Sequence, residues 1–106
     1  MLQAERKMNI DNIKSVYFVG AGGIGMSALI RYFLSKGKKV AGYDKTPSDL
    51  TEQLNREGAD IHYEDNIDLI PGVYKNTDDT LVVYTPAIPA THSELRYFQT
   101  QGFEVM

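Results

Sequence analysis

The apolar run Val16-Tyr17-Phe18-Val19 breaks off into Gly20-Ala21-Gly22-Gly23-Ile24-Gly25-Met26-Ser27, and a helical apolar period, Ala28-Leu29-Ile30-Arg31-Tyr32-Phe33-Leu34, starts directly behind it. Glycines at 20, 22 and 25 carry the i, i+2, i+5 spacing of a phosphate-binding strand-to-helix turn. The first glycine permits the tight turn, the second lets the backbone approach a pyrophosphate, and the third lets helix and strand pack closely. The unpaired N–H groups and the positive end of the helix dipole then face the anion. The eight residues Gly20, Ala21, Gly22, Gly23, Ile24, Gly25, Met26 and Ser27 are therefore the first candidate site, for the pyrophosphate of a nucleotide.

The same strand-then-helix alternation continues along the chain. A strand is expected from Ser15 to Val19 and a helix from Ile24 to Ser35, stopped at Lys36-Gly37. Lys39 to Tyr43 reads as a second strand. The second helix starts either at Thr46, ahead of Pro47, or at Ser48, and runs to Glu57 before Gly58. A short third strand over Ala59 to His62 and a single turn at Asp68-Leu69-Ile70, cut by Pro71-Gly72, lead to Thr80-Leu81-Val82-Val83-Tyr84, the most β-like segment. Thr91-His92-Ser93-Glu94 has the form of a capping box opening a helix from Leu95 to Gln101, and Phe103 to Met106 begins a fifth strand. Residues 1–14 are polar and aperiodic, a flexible lead-in outside the core; residues 15–106 form one domain. Continuous apolar strands between helices call for an open parallel α/β sheet of about five strands with helices on both faces. Ligands in such sheets sit at the carboxyl ends of the strands, near the switch in strand order.

Composition narrows the partners. A chain of 106 residues makes about one domain, and its net charge of −3, with acids and bases mixed, offers no footprint for nucleic acid. Without cysteine there is no disulfide or thiolate metal site, and two distant histidines offer little to a metal. No apolar run approaches the roughly 20 residues of a membrane span and the N-terminus lacks a signal-like stretch, so a cytoplasmic protein without membrane contact is expected.

Asp44, at the end of the second strand, lies near the offset at which an acid meets the ribose or base of a bound nucleotide. Thr85-Pro86-Ala87-Ile88-Pro89-Ala90 follows the fourth strand and forms a stiff second wall of the same cleft. His62 reads as a solvated strand residue and His92 as helix-start surface; Glu64, Asp65 and Asp68 read as a solvated acidic loop. Met26 and the pair Tyr32-Phe33 follow the helical spacing of core residues. No triad spacing and no G-x-x-x-x-G-K-[ST] loop occur, so the residues themselves describe a nucleotide-binding domain with no catalytic residue of its own.

The string from Tyr17 to Ile30, with Gly25-Met26-Ser27 after the turn, resembles the opening motif of the Mur ligases. The resemblance continues through Val40 to Asp44, Leu50 to Leu54, Gly58 to Ile61 and Val82 to Ile88, nearly everything from Ser15 to Met106. It implies a three-domain enzyme of peptidoglycan synthesis that uses ATP and magnesium to convert the carboxylate of UDP-N-acetylmuramate to an acyl phosphate, which the amine of L-alanine attacks. This chain resembles its first, Rossmann-like domain, which holds UDP, cut in its fifth strand and inactive alone. By position, the backbone of Gly22, Gly23, Ile24 and Gly25 would bind pyrophosphate. Asp44 and Lys45 would face uracil or ribose, and Thr85, Pro86, Ala87 and Ile88 would close the other side. Asp65 stands where many members carry a histidine. Gly20, Gly22, Gly25 and Asp44 also satisfy the dinucleotide fingerprint, so an NAD-binding oxidoreductase or a regulatory dinucleotide-binding domain remains the rival reading.

Overall fold

The structure is a computed structural model that describes residues 10–106. Five strands, β1 (Ser15–Val19), β2 (Lys39–Tyr43), β3 (Asp60–His62), β4 (Thr80–Tyr84) and β5 (Glu104–Val105), form one sheet in the order β3-β2-β1-β4-β5, parallel throughout. Strand order reverses between β1 and β4, which pair from Ser15 opposite Thr80 to Val19 opposite Tyr84. Helices α1 (Met26–Ser35), α2 (Asp49–Glu57) and α3 (Ser93–Thr100) complete the alternation. The expected open parallel sheet with helices on both faces is the architecture observed.

Successive side chains of a strand point to opposite faces, and both faces are covered, which is why β1 is buried at all five positions. Val16, Phe18, Val40 and Val83 pack against Met26, Ile30 and Phe33 of α1 and Leu54 of α2. Tyr17, Val19, Ala41, Tyr43 and Val82 face the other way, against Leu95 and Phe98 of α3, with Ile70, Tyr74 and Phe103. On the exposed side of the first layer, the Arg31 guanidinium grips Glu57 of α2 with two hydrogen bonds of 2.8 and 3.1 Å.

Several boundaries depart from expectation. Helix α1 begins at Met26, not Ile24, because Gly25 takes a left-handed φ of 82° and ends the turn there. Ser48, not Thr46, caps α2: its hydroxyl accepts from Thr51 N–H at 3.1 Å while Thr51 Oγ1 accepts from Ser48 N–H at 2.9 Å, the reciprocal bonds of a capping box. Strand β3 starts one residue late, at Asp60, and β5 is limited to Glu104–Val105. The single turn expected at Asp68 to Ile70 is a 3-10 turn over Ile67–Leu69. A second, unforeseen one at Gly72–Lys75 brings Tyr74 into the core. Within the expected lead-in, residues 1–9 lie outside the described residues; Ile10–Asn12 form a 3-10 turn, and Ile13, 4 % exposed, is core rather than linker. Tyr32 is exposed beneath Lys36, unlike its core neighbour Phe33, because it falls on the outer face of α1.

Candidate functional site

The switch in strand order places the β1–α1 turn beside the segment after β4, and a cleft of about 760 Å³ opens between them. Gly20, Gly22, Gly23 and Ile24 form one wall, Thr85, Ala87, Ile88, Pro89, Thr91 and His92 the other, and Tyr43, Asp44, Lys45 and Asp65 the end. Of the sequence-predicted residues, Ala21 and Met26 are instead buried in the first core layer, and Gly25, Ser27 and Pro86 do not line the cleft. Those five come into play only through the backbone or the path of the chain. Pro89 of the expected second wall lines it and Ala90 does not; Tyr43, Thr91 and His92 line it although the sequence does not single them out as ligand contacts, and Asp65 lines it although it reads as a solvated acid.

The turn is held by its own hydrogen bonds. Gly20 and Ala21 N–H both donate to the Tyr43 carbonyl, at 2.7 and 2.8 Å, Gly23 N–H to Gly20 O at 2.9 Å, and Met26 N–H to Gly23 O at 3.0 Å. Gly20 has φ 96°, and a side chain there would collide with the Thr85 methyl, so only glycine lets the two walls approach. Asp44, expected to face the ligand, turns to the turn itself: Oδ1 accepts from Gly22 N–H at 2.9 Å and Oδ2 from Thr46 N–H at 3.1 Å. Gly22 N–H is thereby spent on protein. The N–H groups of Ile24, Gly25 and Ser27 have no protein acceptor among the described residues.

The three helix starts differ in how they are closed. Ser48 and Thr51 cap α2 as described, and α3 is capped twice, by His92 Nδ1 accepting from Leu95 N–H at 3.3 Å and by Asp65 accepting from Ser93 and Glu94 N–H at 2.9 and 3.0 Å. Helix α1 has no side-chain cap and no acidic residue in its first turn, so its positive end lies open beside the cleft.

Behind the α3 wall lies a polar hub the sequence did not reveal. Glu94, expected to close a capping box with Thr91, is fully buried, its carboxylate facing Tyr17 OH at 2.6 Å, His62 Nε2 at 2.6 Å and Asn66 N–H at 3.0 Å. His62 is thus a partner of a buried acid rather than a solvated residue; His92 is core, ring against ring with Tyr43 at 4.5 Å; and Asp65 is a helix cap rather than a free acid. An acceptor-only carboxylate among three donors needs no further partner. Burial first, then the Glu94 charge and its hydrogen bond, push the Tyr17 phenol far above its usual range. Burial also raises Tyr43, followed by the charges of Asp65, Asp44 and Glu94.

A second depression of about 540 Å³ lies at the opposite, amino-terminal edge of the sheet, among Lys14, Lys36, Lys38 and Lys39. Neither the glycine turn nor a helix start reaches it. No helix among the described residues is long and apolar enough to cross a membrane, and no three histidine or carboxylate side chains among them cluster as metal ligands.

Residues 15–106 match the Mur ligase family, catalytic domain. The chain is 72% identical over 99 residues to a UDP-N-acetylmuramate–L-alanine ligase of Parabacteroides distasonis, covering 93% of this chain and 21% of that protein. Identity is 63% over 98 residues to the ligase of the same name from Phocaeicola vulgatus, with 92% and 21% covered. The crystal structure of UDP-N-acetylmuramate–alanine ligase from Thermotoga maritima superposes with a TM-score of 0.73 at 28% identity, over 86% of this chain and 20% of that one. The chain spans about a fifth of the length of these curated relatives.

Proposed function

The chain belongs to the Mur ligase family, and from that premise we propose that it is the N-terminal domain, residues 15–106, of a cytoplasmic ligase that joins L-alanine to UDP-N-acetylmuramate with ATP in peptidoglycan synthesis. Its own task is to hold the UDP part of that substrate. The observation that carries this reading is the uncapped start of α1, opening beside the cleft behind a glycine turn whose outer N–H groups lack acceptors. A pyrophosphate supplies the acceptors, and the helix dipole favours its charge. In this reading Ile24, Gly25 and Ser27 donate to the pyrophosphate through their backbones. Asp44 acts through the turn by fixing Gly22. Lys45, the one lysine or arginine among the lining residues, adds a positive charge, and Thr85, Ala87 and Ile88 close the opposite wall.

ATP and magnesium belong to the remaining four-fifths of the protein. The sequence has no G-x-x-x-x-G-K-[ST] loop and the described residues no set of metal ligands, so neither group fits this segment. Titration of the chain with UDP-N-acetylmuramate, followed by amide NMR, is expected to move Ile24, Gly25 and Ser27 together with Gly22 and Gly23. NADH is expected to leave them unmoved. Shifts with NADH and none with the uridine nucleotide would replace the ligase reading with a dinucleotide-binding one.

A further inference from the structure

Tyr43 is the only tyrosine or phenylalanine among the residues lining the cleft. It ends β2 one residue before Asp44, and its carbonyl anchors the glycine turn through the two hydrogen bonds from Gly20 and Ala21. Its side chain points to the α3 face of the sheet, where the ring is 7 % exposed in the second core layer and packed on the His92 ring at an interplanar angle of 58°. His92 is itself locked, since Nδ1 accepts from Leu95 N–H at the start of α3.

The hydroxyl is what this packing leaves over. Tyr17 OH is bonded to Glu94 and Tyr63 OH to Thr51, whereas no protein group bonds Tyr43 OH among the described residues. Nor is it sealed away: the hydroxyls that are both orphaned and enclosed are those of Ser15 and Thr80, at the other end of the sheet. A tyrosine that lines a cleft, is buried along its ring and carries a hydroxyl bonded to no protein group among the described residues is a pre-positioned donor. The ring is immobilised by packing, so a hydrogen bond to a ligand costs little further conformational entropy.

We propose that Tyr43 donates its phenolic hydrogen to an oxygen acceptor on the nucleoside half of the nucleotide, with the Tyr43–His92 stack as the wall that selects that half. The inference rests on the nucleotide-binding reading above and deepens it by assigning a specificity residue. With the diphosphate at the start of α1, the nucleoside extends past Asp44 toward the end of the cleft, which is where Tyr43, His92 and Asp65 stand. A phenol is protonated at neutral pH at its ordinary value of 10.0, and burial of the ring, then the charges of Asp65 and Asp44, push it further up, so the group is a donor there.

Tyr43→Phe keeps the ring and its stack and removes only the hydroxyl. Calorimetry with UDP is expected to show about tenfold weaker binding by the variant, the effect of one lost hydrogen bond. Inorganic pyrophosphate, which lacks the nucleoside, is expected to compete equally well against UDP in both proteins once UDP affinity is allowed for. If 2′-deoxy-UDP binds both proteins alike, the acceptor is the ribose 2′ oxygen; if it keeps the tenfold difference, the acceptor lies elsewhere on the nucleoside. In the unmodified chain, the Cζ resonance of Tyr43, identified by its loss in the variant, is expected to shift on adding UDP and not on adding pyrophosphate. Equal UDP affinity of the two proteins together with an unmoved Cζ resonance would overturn the assignment of Tyr43 while leaving UDP binding intact. Absence of UDP binding by the unmodified chain would overturn the nucleotide reading itself.

Discussion

Under α1 and α2 the sheet is packed mainly by aliphatic side chains, with the pair Phe18 and Phe33 and, partly buried, Tyr63, each helix offering one apolar stripe. Under α3 it carries Tyr17, Tyr74, Phe98 and Phe103 in ring-to-ring contact, Tyr43 against the rings of His62 and His92, and a buried carboxylate at Glu94. Two helices cover the first face, whereas one helix and two 3-10 turns cover the second. The second face has less regular structure to bury, and it makes up the difference with large rings and with hydrogen bonds that tie distant segments to Glu94. It is also the face that supplies Tyr43, Asp65 and His92 to the cleft. The first face is a scaffold, and the second combines support with a share of the cleft wall.

The strongest way to break that contrast is to remove its central acceptor. Glu94→Ala takes the acceptor from Asn66 N–H, leaves Tyr17 OH and His62 Nε2 with only each other at 3.2 Å, and opens a cavity, and is expected to destabilise the chain by about 3–5 kcal/mol in urea unfolding. A loss below about 1 kcal/mol would make the hub incidental. Alkaline pH probes the same face without mutation. Tyr17 is held above its ordinary value of 10.0 and Tyr74 is pushed up to about 12, so the folded chain keeps protons that the unfolded chain releases above pH 10. Their stabilising contribution is present in full below pH 10 and is lost as the pH rises toward the folded values. Stability should fall by up to about 1.4 kcal/mol per pH unit for each group. Urea midpoints that stay level between pH 9 and 11 would remove this linkage.

What could be read from the sequence follows the same division. The glycine turn, β1 and α1, and the Asp44 position are local patterns, each complete within a few residues, and they led to the cleft. Thr91-His92-Ser93-Glu94 is equally local in form, but Glu94 bonds Tyr17, 77 residues away in sequence, in preference to closing a cap. Asp65 closes it instead, from 28 residues upstream. Neither partner leaves a mark at fixed spacing. Ile13 stands in a polar stretch that reads as lead-in, yet one apolar residue two positions ahead of a buried strand is enough to extend a core.

Smaller tests sharpen the contrast. Asp65→Ala leaves Ser93 and Glu94 N–H without the acceptor they share, with an expected cost of about 0.5–2 kcal/mol by thermal unfolding and weaker UDP binding as the α3 wall loosens. At the amino-terminal edge the hydroxyls of Ser15 and Thr80, opposite each other in register, are buried with no hydrogen-bond partner among the described residues. Replacing Ser15 by Ala or Thr80 by Val is therefore expected to change stability by less than about 1 kcal/mol, or to raise it, since no hydrogen bond is lost. A large loss at either position would reveal a partner for that hydroxyl.

The pairing of β1 with β4 sets the order in which the domain can assemble. Strand β1 zips to β2 across one helix, but its other edge stays bare until β4 arrives, since Ser15 pairs with Lys39 on one side and with Thr80 on the other. Loop-closure entropy makes so long-range a contact slow to form. During synthesis the glycine turn, α1 and β2 can dock as a unit while the Thr85 wall has yet to leave the ribosome. In the proposed function, the capacity to hold a nucleotide thus matures late, only when the chain beyond β4 folds back over the turn it must face.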